Sequence, residues 1–180
     1  TITTHTGAVT ITTDSDYTVT ELKTINNKTD GAITLNDTTV ALSGDATDLA
    51  VALAGTIDHA GAVTVTTDSD YTLAELKTIN NGTDGAITLN DTTLALSGDA
   101  TDLAAALAGT ITHEGAVTVT TDSDYTAAEL LTIAGATSGA ITLNDTTVAL
   151  SGSSSDLSTI FTETITTHTG AVTITTDSDY

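Results

Sequence analysis

The chain repeats one sequence pattern four times. The pattern HTGAVTIT, which begins at His5, returns in nearly the same form at His59, His113 and His168. Self-similarity at a fixed period, here about 54 residues, is typical of proteins that stack one structural unit upon another. We therefore expect a repeat architecture, in which function belongs to an extended surface and no single pocket dominates.

The sequence also repeats over a longer distance, which spans three of these units. Residues 1–17 recur letter for letter at 164–180. We interpret the chain as one super-repeat and the start of the next, a window from a longer polymer, and we expect one continuous segment over 1–180. Its repeats are 7–60, 61–114 and 115–169, and the next repeat starts at 170–180.

Each repeat divides into two related halves, as the segments 7–12 and 31–35 show. Both begin with Gly-Ala and then alternate aliphatic residues with threonine. An apolar residue at every second position predicts a half-buried strand. The segment 38–42 alternates in the same way and predicts a further strand.

Helix signals follow the strand signals. Thr18 and Glu21 have the spacing of a capping box. Asp45 is a second candidate N-cap, and Gly55 stands where a left-handed residue would end that helix. The capping-box pattern recurs at Thr72/Glu75 and Thr126/Glu129.

A strand, a turn, a short helix and a return within each half-repeat describe one coil of a solenoid. The leucine-rich repeat pattern is not present in the sequence. The predicted fold class is therefore a β-solenoid, mainly parallel β with short helical turns, whose 54-residue repeat consists of two coils of about 27 residues.

The charge balance excludes several partners. The chain has three lysines and 24 acidic residues, which gives a net charge of −21. A nucleic-acid partner needs basic groups that neutralise phosphates, and an anionic membrane surface would repel the chain. No apolar stretch approaches the roughly 18 residues of a membrane helix. We expect neither nucleic-acid binding nor membrane insertion.

The Asp-Ser-Asp triplets are candidate Ca²⁺ sites, since a hard cation needs several oxygen ligands. Copies in the same phase would lie roughly 9.6 Å apart, too far to share one ion, so Asn36-Asp37 or Asp45 would have to complete the shell. The alternative is a plain turn before a capped helix, where short acidic residues are favourable. The candidate ligands are Asp14, Asp16, Asp68, Asp70, Asp122, Asp124, Asp177 and Asp179.

The four histidines predict turn positions and no zinc site. At the same roughly 9.6 Å spacing they cannot hold one Zn²⁺, whose ligands lie about 2.1 Å from the metal. No motif of a nucleophile with its base is present, and any catalytic residue would occur three or four times. We expect a protein that is not an enzyme.

The segments 71–76, 85–89 and 101–107 (YTLAEL, GAITL and TDLAAAL) carry a resemblance that extends over the whole chain. They resemble the Thr/Asp/Ala-rich repeat tracts of giant secreted bacterial surface or adhesin-type proteins, particularly those of cyanobacterial and marine species. The resemblance implies an extracellular or cell-surface location and a role in adhesion, motility or matrix.

The functional hypothesis is a structural repeat segment of an extracellular filament, adhesin stalk or surface-layer protein, with Ca²⁺ as a candidate stabilising ion. Its expected partners are further copies joined end to end, or the continuation of the same long chain, with lateral contacts between rods. One alternative is ice binding through Thr-x-Thr rows such as Thr10 and Thr12, which Thr34-Leu35-Asn36 interrupts at alternate strands. The other is Ca²⁺-dependent carbohydrate binding.

Overall fold

A computed structural model describes residues 4–12, 15–66, 70–120, 123–162 and 165–175. Within these ranges lie ten short strands and six helices. In chain order they are β1 (Val9–Ile11), α1 (Val19–Asn26), β2 (Ile33–Leu35), β3 (Leu42–Gly44), α2 (Ala46–Ala52), β4 (Val63–Val65), α3 (Leu73–Gly82), β5 (Ile87–Leu89), β6 (Leu96–Gly98), α4 (Ala100–Ala106), β7 (Val117–Val119), α5 (Ala127–Ala136), β8 (Ile141–Leu143), β9 (Leu150–Gly152), α6 (Ser154–Thr162) and β10 (Val172–Ile174).

The strands pair in parallel and form four small sheets. Two sheets have two strands, β1-β2 and β9-β10, and two have three strands, β3-β4-β5 and β6-β7-β8. The middle residues of paired strands lie in register, as in the row formed by Ser43, Thr64 and Thr88. Each three-stranded sheet therefore places the first strand of one repeat between two strands of a different sequence.

The predicted β-solenoid is wrong. The strands belong to four separate small sheets that do not curl into one continuous coil, and the helices are full elements where short turns were expected. The helices also pack on one another, α1 on α2, α2 on α3, α4 on α5 and α5 on α6. The fold is α/β, because short parallel strands and helices alternate along the chain.

The chain divides into two compact units. The first comprises residues 1–91 with 109–111, and the second comprises 92–108 with 112–180. The first unit contains β1 to β5 and α1 to α3, and the second contains β6 to β10 and α4 to α6. The described parts of the two units thus have the same number of helices and strands, as the sequence repeat requires.

The predicted helix caps are confirmed. The Thr18 hydroxyl accepts a hydrogen bond from Glu21 N at 3.3 Å, and the Glu21 carboxylate accepts one from Thr18 N at 2.9 Å. The Asp45 carboxylate accepts from Asp48 N at 2.8 Å, and Gly55 has a φ of +81°. Reciprocal capping satisfies amides that the first turn would otherwise leave unpaired, so local sequence predicts these helix starts well.

The strand predicted at 38–42 does not form at that position. The Asp37 carboxylate accepts from Thr39 N at 2.9 Å and from the Thr39 hydroxyl at 2.7 Å, which folds the chain into an Asx turn. The strand β3 begins only at Leu42. An aspartate that bonds its own backbone two positions later outweighs the weak alternation that follows it.

The core lies between the inward residues of the strands and the aliphatic residues of the helices. Val63 and Val65 are buried, whereas Thr64 between them is only half-buried. Leu22, Leu49 and their counterparts in the other helices have no measurable exposure or almost none. The inward and outward alternation that the sequence predicts is therefore confirmed in β2, β4, β5, β7 and β8, whereas all three residues of β10 are exposed.

Candidate functional site

The Asp-Ser-Asp triplets lie directly before helices. Asp16, Asp70 and Asp124 are exposed and stand two positions before the N-cap threonines of α1, α3 and α5. The other candidate ligands lie outside the described residues; they are Asp14, Asp68, Asp122, Asp177 and Asp179. The structure therefore places three of the eight predicted ligands, and each of the three belongs to a turn at a helix N-terminus.

The carboxylates expected to complete a Ca²⁺ shell are engaged elsewhere. Asp45 caps α2, and the carboxylate of Asp37 accepts the two hydrogen bonds from Thr39. These hydrogen bonds hold the pKa of Asp37 below its usual value, and those from Thr147 do the same for Asp145. In the part of the chain that the structure describes, no three His, Asp or Glu side chains are grouped so that they could hold a metal ion.

A buried tyrosine follows each described Asp-Ser-Asp turn. The hydroxyls of Tyr17, Tyr71 and Tyr125 donate to the backbone carbonyl oxygens of Asp37, Asp91 and Asp145 at 2.7, 2.8 and 2.7 Å. Burial, together with the nearby Asp37 or Asp91 carboxylate, raises the pKa of Tyr17 and of Tyr71 to about 12. The tyrosines anchor the turns to the next half-repeat, which is a structural role.

The buried polar side chains among the described residues are two histidines and three threonines, and each histidine contacts one of the threonines. His59 is 1% exposed; its Nε2 lies 2.8 Å from Val40 O, and its Nδ1 lies 2.9 Å from the Thr83 hydroxyl. His113 has no measurable exposure and makes the same contacts with Leu94 O and Thr137, at 2.8 and 3.2 Å. These histidines are buried groups, and each of them joins three segments of the chain.

Hydrogen-bond chemistry determines the form of the His59 ring. Because Val40 O can only accept, Nε2 carries a proton. The Thr83 hydroxyl has a single proton, and both His59 Nδ1 and Gly61 O (3.1 Å) lie within reach of it. When the ring is neutral, Nδ1 accepts a hydrogen bond from the Thr83 hydroxyl. When the ring is doubly protonated, Nδ1 donates a hydrogen bond to the Thr83 oxygen, and the hydroxyl donates to Gly61 O. The cluster can hold either form with its ring nitrogens paired.

Burial favours the neutral ring of His59. Desolvation lowers the pKa of His59 below its usual value, and the hydrogen bond to Val40 O and the charge of Asp58 oppose this in part.

The sequence contained a signal for the contact between histidine and threonine that the histidine spacing alone did not reveal. A threonine stands at the same distance after each of the first three histidines, at Thr29, Thr83 and Thr137.

The two outer copies of the histidine make only half of these contacts. The ring of His5 is exposed, although its backbone bridges to Thr29. His168 is half-buried, and its Nε2 lies 2.9 Å from Val148 O. His5 therefore has the backbone pairing with the following segment, and His168 has the ring contact with the preceding one.

The outward faces of the strands form uncharged hydroxyl rows. The middle residue of each of the ten described strands is threonine or serine, and paired strands place these residues in register. In a chain with a net charge of −21 these faces carry no charge at their centres. Thr10 pairs directly with Thr34, and the interruption expected from Thr34-Leu35-Asn36 falls at Asn36, one residue beyond the paired strands.

Several hollows lie in the first unit. One, of about 330 Å³, is apolar and is lined by His5, Val9, Thr24, Ile25, Lys28 and Thr29. Another, of about 340 Å³, lies between residues 15–19 and 40–43.

No protein-family model, curated protein or solved structure matches the chain. Among the described residues, no helix has both the length and the hydropathy that a bilayer crossing needs.

Proposed function

We propose that this chain is a structural repeat segment of an extracellular filament, adhesin stalk or surface-layer protein, without enzymatic activity of its own. The observation that carries the proposal is the repetition of one internal joint. His59 and His113 bind equivalent partners with the same atoms in successive repeats. A catalytic site is seldom needed twice in one chain, whereas a joint that holds neighbouring segments together is needed in each repeat.

Surface chemistry supports a place outside the cell. The chain has neither cysteine nor methionine, so it offers no sulfur to oxidants, and its 24 acidic residues favour solubility. The resemblance to secreted bacterial repeat tracts supports the same location. The acidic surface keeps neighbouring copies apart laterally unless salt or bound cations offset the repulsion.

Immunogold labelling tests this proposal. Antibodies raised against the chain should decorate the cell surface or extracellular filaments of cells that produce it. Pre-incubation of the antibodies with the purified chain is the control and should remove the label. Label confined to the cell interior would overturn the proposal.

Calcium is a separate question. The described carboxylates Asp37 and Asp45 serve turns and caps, which favours turn chemistry for the Asp-Ser-Asp triplets. We therefore expect excess EDTA to shift the melting temperature by less than about 1 °C. A fall of several degrees that added Ca²⁺ reverses would show that a bound Ca²⁺ ion stabilises the fold. Glycan capture lost on chelation would support the carbohydrate-binding alternative.

Ice binding is the second candidate, favoured by the hydroxyl rows. Parallel strands space the threonines and serines about 4.8 Å apart along each row, as in Ser43, Thr64 and Thr88. Thermal hysteresis that disappears in Thr88→Lys and persists in the helix variant Thr78→Lys would establish this function. Absence of hysteresis in the unmodified chain leaves the structural role.

A further inference from the structure

Close backbone packing requires glycine at the same position in the second half of each repeat. A Cβ on Gly85 would lie 1.9 Å from Gly61 O, and one on Gly139 would lie 2.0 Å from Gly115 O. A Cβ on Gly31 would likewise lie 2.2 Å from a backbone oxygen. Contacts this close exclude every side chain, so the residue before each of these positions is always followed by glycine.

The residue before the glycine differs between the repeats. It is Asp30 in the first, Asp84 in the second and Ser138 in the third, and all three are exposed. An Asp-Gly sequence is chemically labile, because glycine has no Cβ that would shield its nitrogen from the aspartate side chain. The two Asp-Gly sequences therefore stand where the packing does not allow the glycine to change.

The reaction of such a sequence begins with attack of the Gly85 nitrogen on Cγ of Asp84. A new N–C bond forms, and the proton of the nitrogen leaves with the carboxyl hydroxyl as water. The product is a cyclic succinimide. Solvent water then opens the ring at either carbonyl carbon, which gives aspartate again or isoaspartate, in which the chain continues through the former side-chain carboxyl.

Isoaspartate would harm this fold. The net reaction is an isomerisation without a change in mass, but it adds one methylene group to the backbone. Asp84 lies shortly before β5, whose residues pair in register with those of β4. An extra backbone atom at this point would displace β5 from that register.

The fold holds the attacking nitrogen in place. The Gly85 N–H donates to the Thr83 hydroxyl oxygen at 3.0 Å. Thr83 is 7% exposed, and its hydroxyl oxygen also lies 2.9 Å from His59 Nδ1 and 3.1 Å from Gly61 O. Because a hydroxyl oxygen has two lone pairs, it can accept from Gly85 whichever group receives its own proton. Cyclisation must break this hydrogen bond.

The backbone is held on the other side of Asp84 as well. The N–H of Asp84 donates to His59 O at 2.9 Å. Cyclisation needs rotation of the backbone between Asp84 and Gly85, which brings the nitrogen towards the carboxyl group. A hydrogen bond on each side and the contact of Gly85 with Gly61 O oppose this rotation.

The same pair of hydrogen bonds recurs around Asp30 and Ser138. The N–H of the following glycine donates to a threonine hydroxyl at 3.0 and 3.1 Å, and the N–H of Asp30 or Ser138 donates to a histidine carbonyl oxygen at 2.9 and 3.0 Å. The partners are Gly31 with Thr29 and Gly139 with Thr137 for the first contact, and His5 and His113 for the second. The third repeat shows that the arrangement forms without the aspartate.

We propose that Asp30 and Asp84 are latent sites of isoaspartate formation, and that the hydroxyls of Thr29 and Thr83 protect them by holding the nitrogen of the following glycine. The reaction then proceeds only from molecules in which this contact has opened, so its rate follows the local opening equilibrium. This inference concerns the chemical lifetime of the chain and is independent of the proposed function.

Thr83→Val tests the protection, because valine keeps the shape of the side chain and leaves the Gly85 N–H unpaired. The rate of isoaspartate formation at Asp84 at neutral pH should rise about fivefold to a hundredfold. Isoaspartate is measured by enzymatic methylation with labelled S-adenosylmethionine followed by tryptic digestion. Cleavage after Lys28 and Lys77 places Asp30 in the peptide 29–77 and Asp84 in the peptide 78–180.

Two controls make the result specific. The double variant Thr83→Val/Asp84→Ser should lose the added label, since serine occupies the equivalent position in the third repeat. Asp30 is the internal reference, because its sequence is the same and Thr29 is intact. An unchanged rate in Thr83→Val, label that persists in the double variant, or an equal rise in both peptides would overturn the proposal.

A second variant tests the protection with every threonine in place. Asp84→Ser/Ser138→Asp moves the Asp-Gly sequence to the third repeat, where Thr137 holds the glycine nitrogen. The label in the peptide 78–180 of the folded chain should stay within about twofold of that in the unmodified chain, and both chains should react at least about fivefold faster in guanidinium chloride. Rapid labelling of the folded double variant, or no acceleration on unfolding, would contradict protection by the fold.

Discussion

The Nδ1 atom of His59 lies 2.9 Å from the hydroxyl oxygen of Thr83, and both side chains are buried. Their contact joins one half-repeat to the next in the interior, where an unpaired polar group would be costly. The same pair recurs at His113 and Thr137, which makes the contact a repeated structural element.

His59→Ala should reduce the free energy of unfolding by about 2–4 kcal/mol, because it leaves a cavity and removes the partners of Val40 O and Thr83. Urea denaturation measures the change. His5→Ala is the matched control, since the same side chain is exposed there, and it should change stability by less than about 0.5 kcal/mol. Equal effects of the two substitutions would contradict the structural role of His59.

The stability that His59 contributes should depend on pH. Its pKa is lowered by burial, so between that value and the unfolded value of about 6.5 the unfolded chain binds more protons. The contribution is therefore complete above about pH 6.5 and is lost as the pH falls through 6.5 towards the folded pKa. The difference in unfolding free energy between the unmodified chain and His59→Ala should narrow from about pH 7.5 to about pH 5.5. A constant difference over this range would show that the ring is not held neutral.

Two nearby glycines should respond oppositely to alanine. A Cβ on Gly139 would lie 2.0 Å from Gly115 O, so Gly139→Ala should destabilise the chain by about 1–3 kcal/mol. Gly135 has no neighbouring atom within 4 Å of such a Cβ and lies inside α5, so Gly135→Ala should stabilise it by up to about 1 kcal/mol. Thermal melting of the two variants beside the unmodified chain provides the comparison, and a loss of stability in both would refute the distinction.

Tyr71→Phe should cost about 0.5–1.5 kcal/mol, because it removes the hydrogen bond to Asp91 O. The pKa of Tyr71 is raised to about 12, above the unfolded value of about 10. The stability linked to its protonated phenol is therefore present below about pH 10 and is lost as the pH rises towards about 12. Phenolate absorbance during an alkaline titration should show one fewer late-ionising tyrosine in the variant, and an unchanged titration would speak against the assignment.

Thr72→Ala should destabilise α3 by about 1 kcal/mol through loss of the capping box with Glu75. Thr78 lies within the same helix, and its exposed hydroxyl bonds back to Ala74 O. Thr78→Ala should therefore be neutral or slightly stabilising. Helix content, measured by circular dichroism during urea titration, distinguishes the two variants. Similar losses of stability in both would mean that the capping box does not stabilise α3.

Local patterns predicted the local structure. The capping boxes begin α1, α3 and α5, and the alternation in Val63-Thr64-Val65 gives the buried and outward residues of β4. These features depend on atoms a few positions apart, so the sequence contains their energetics almost completely. The same reasoning did not predict that Asp37 would close a turn in place of a strand, because two local preferences compete there.

Short-range patterns in the chain were enough to locate the helix starts and the inward strand residues, and to show that each repeat would fold in the same way. Long-range packing set the division of the strands among four sheets and the share of the core that the helices fill. His5 and His59 show the reason most clearly, because nearly the same local sequence surrounds an exposed ring in one case and a buried ring in the other. Burial and pairing depend on which distant segment lies alongside, and contacts such as that of His59 with Val40 and Thr83 exist only where both neighbours are present.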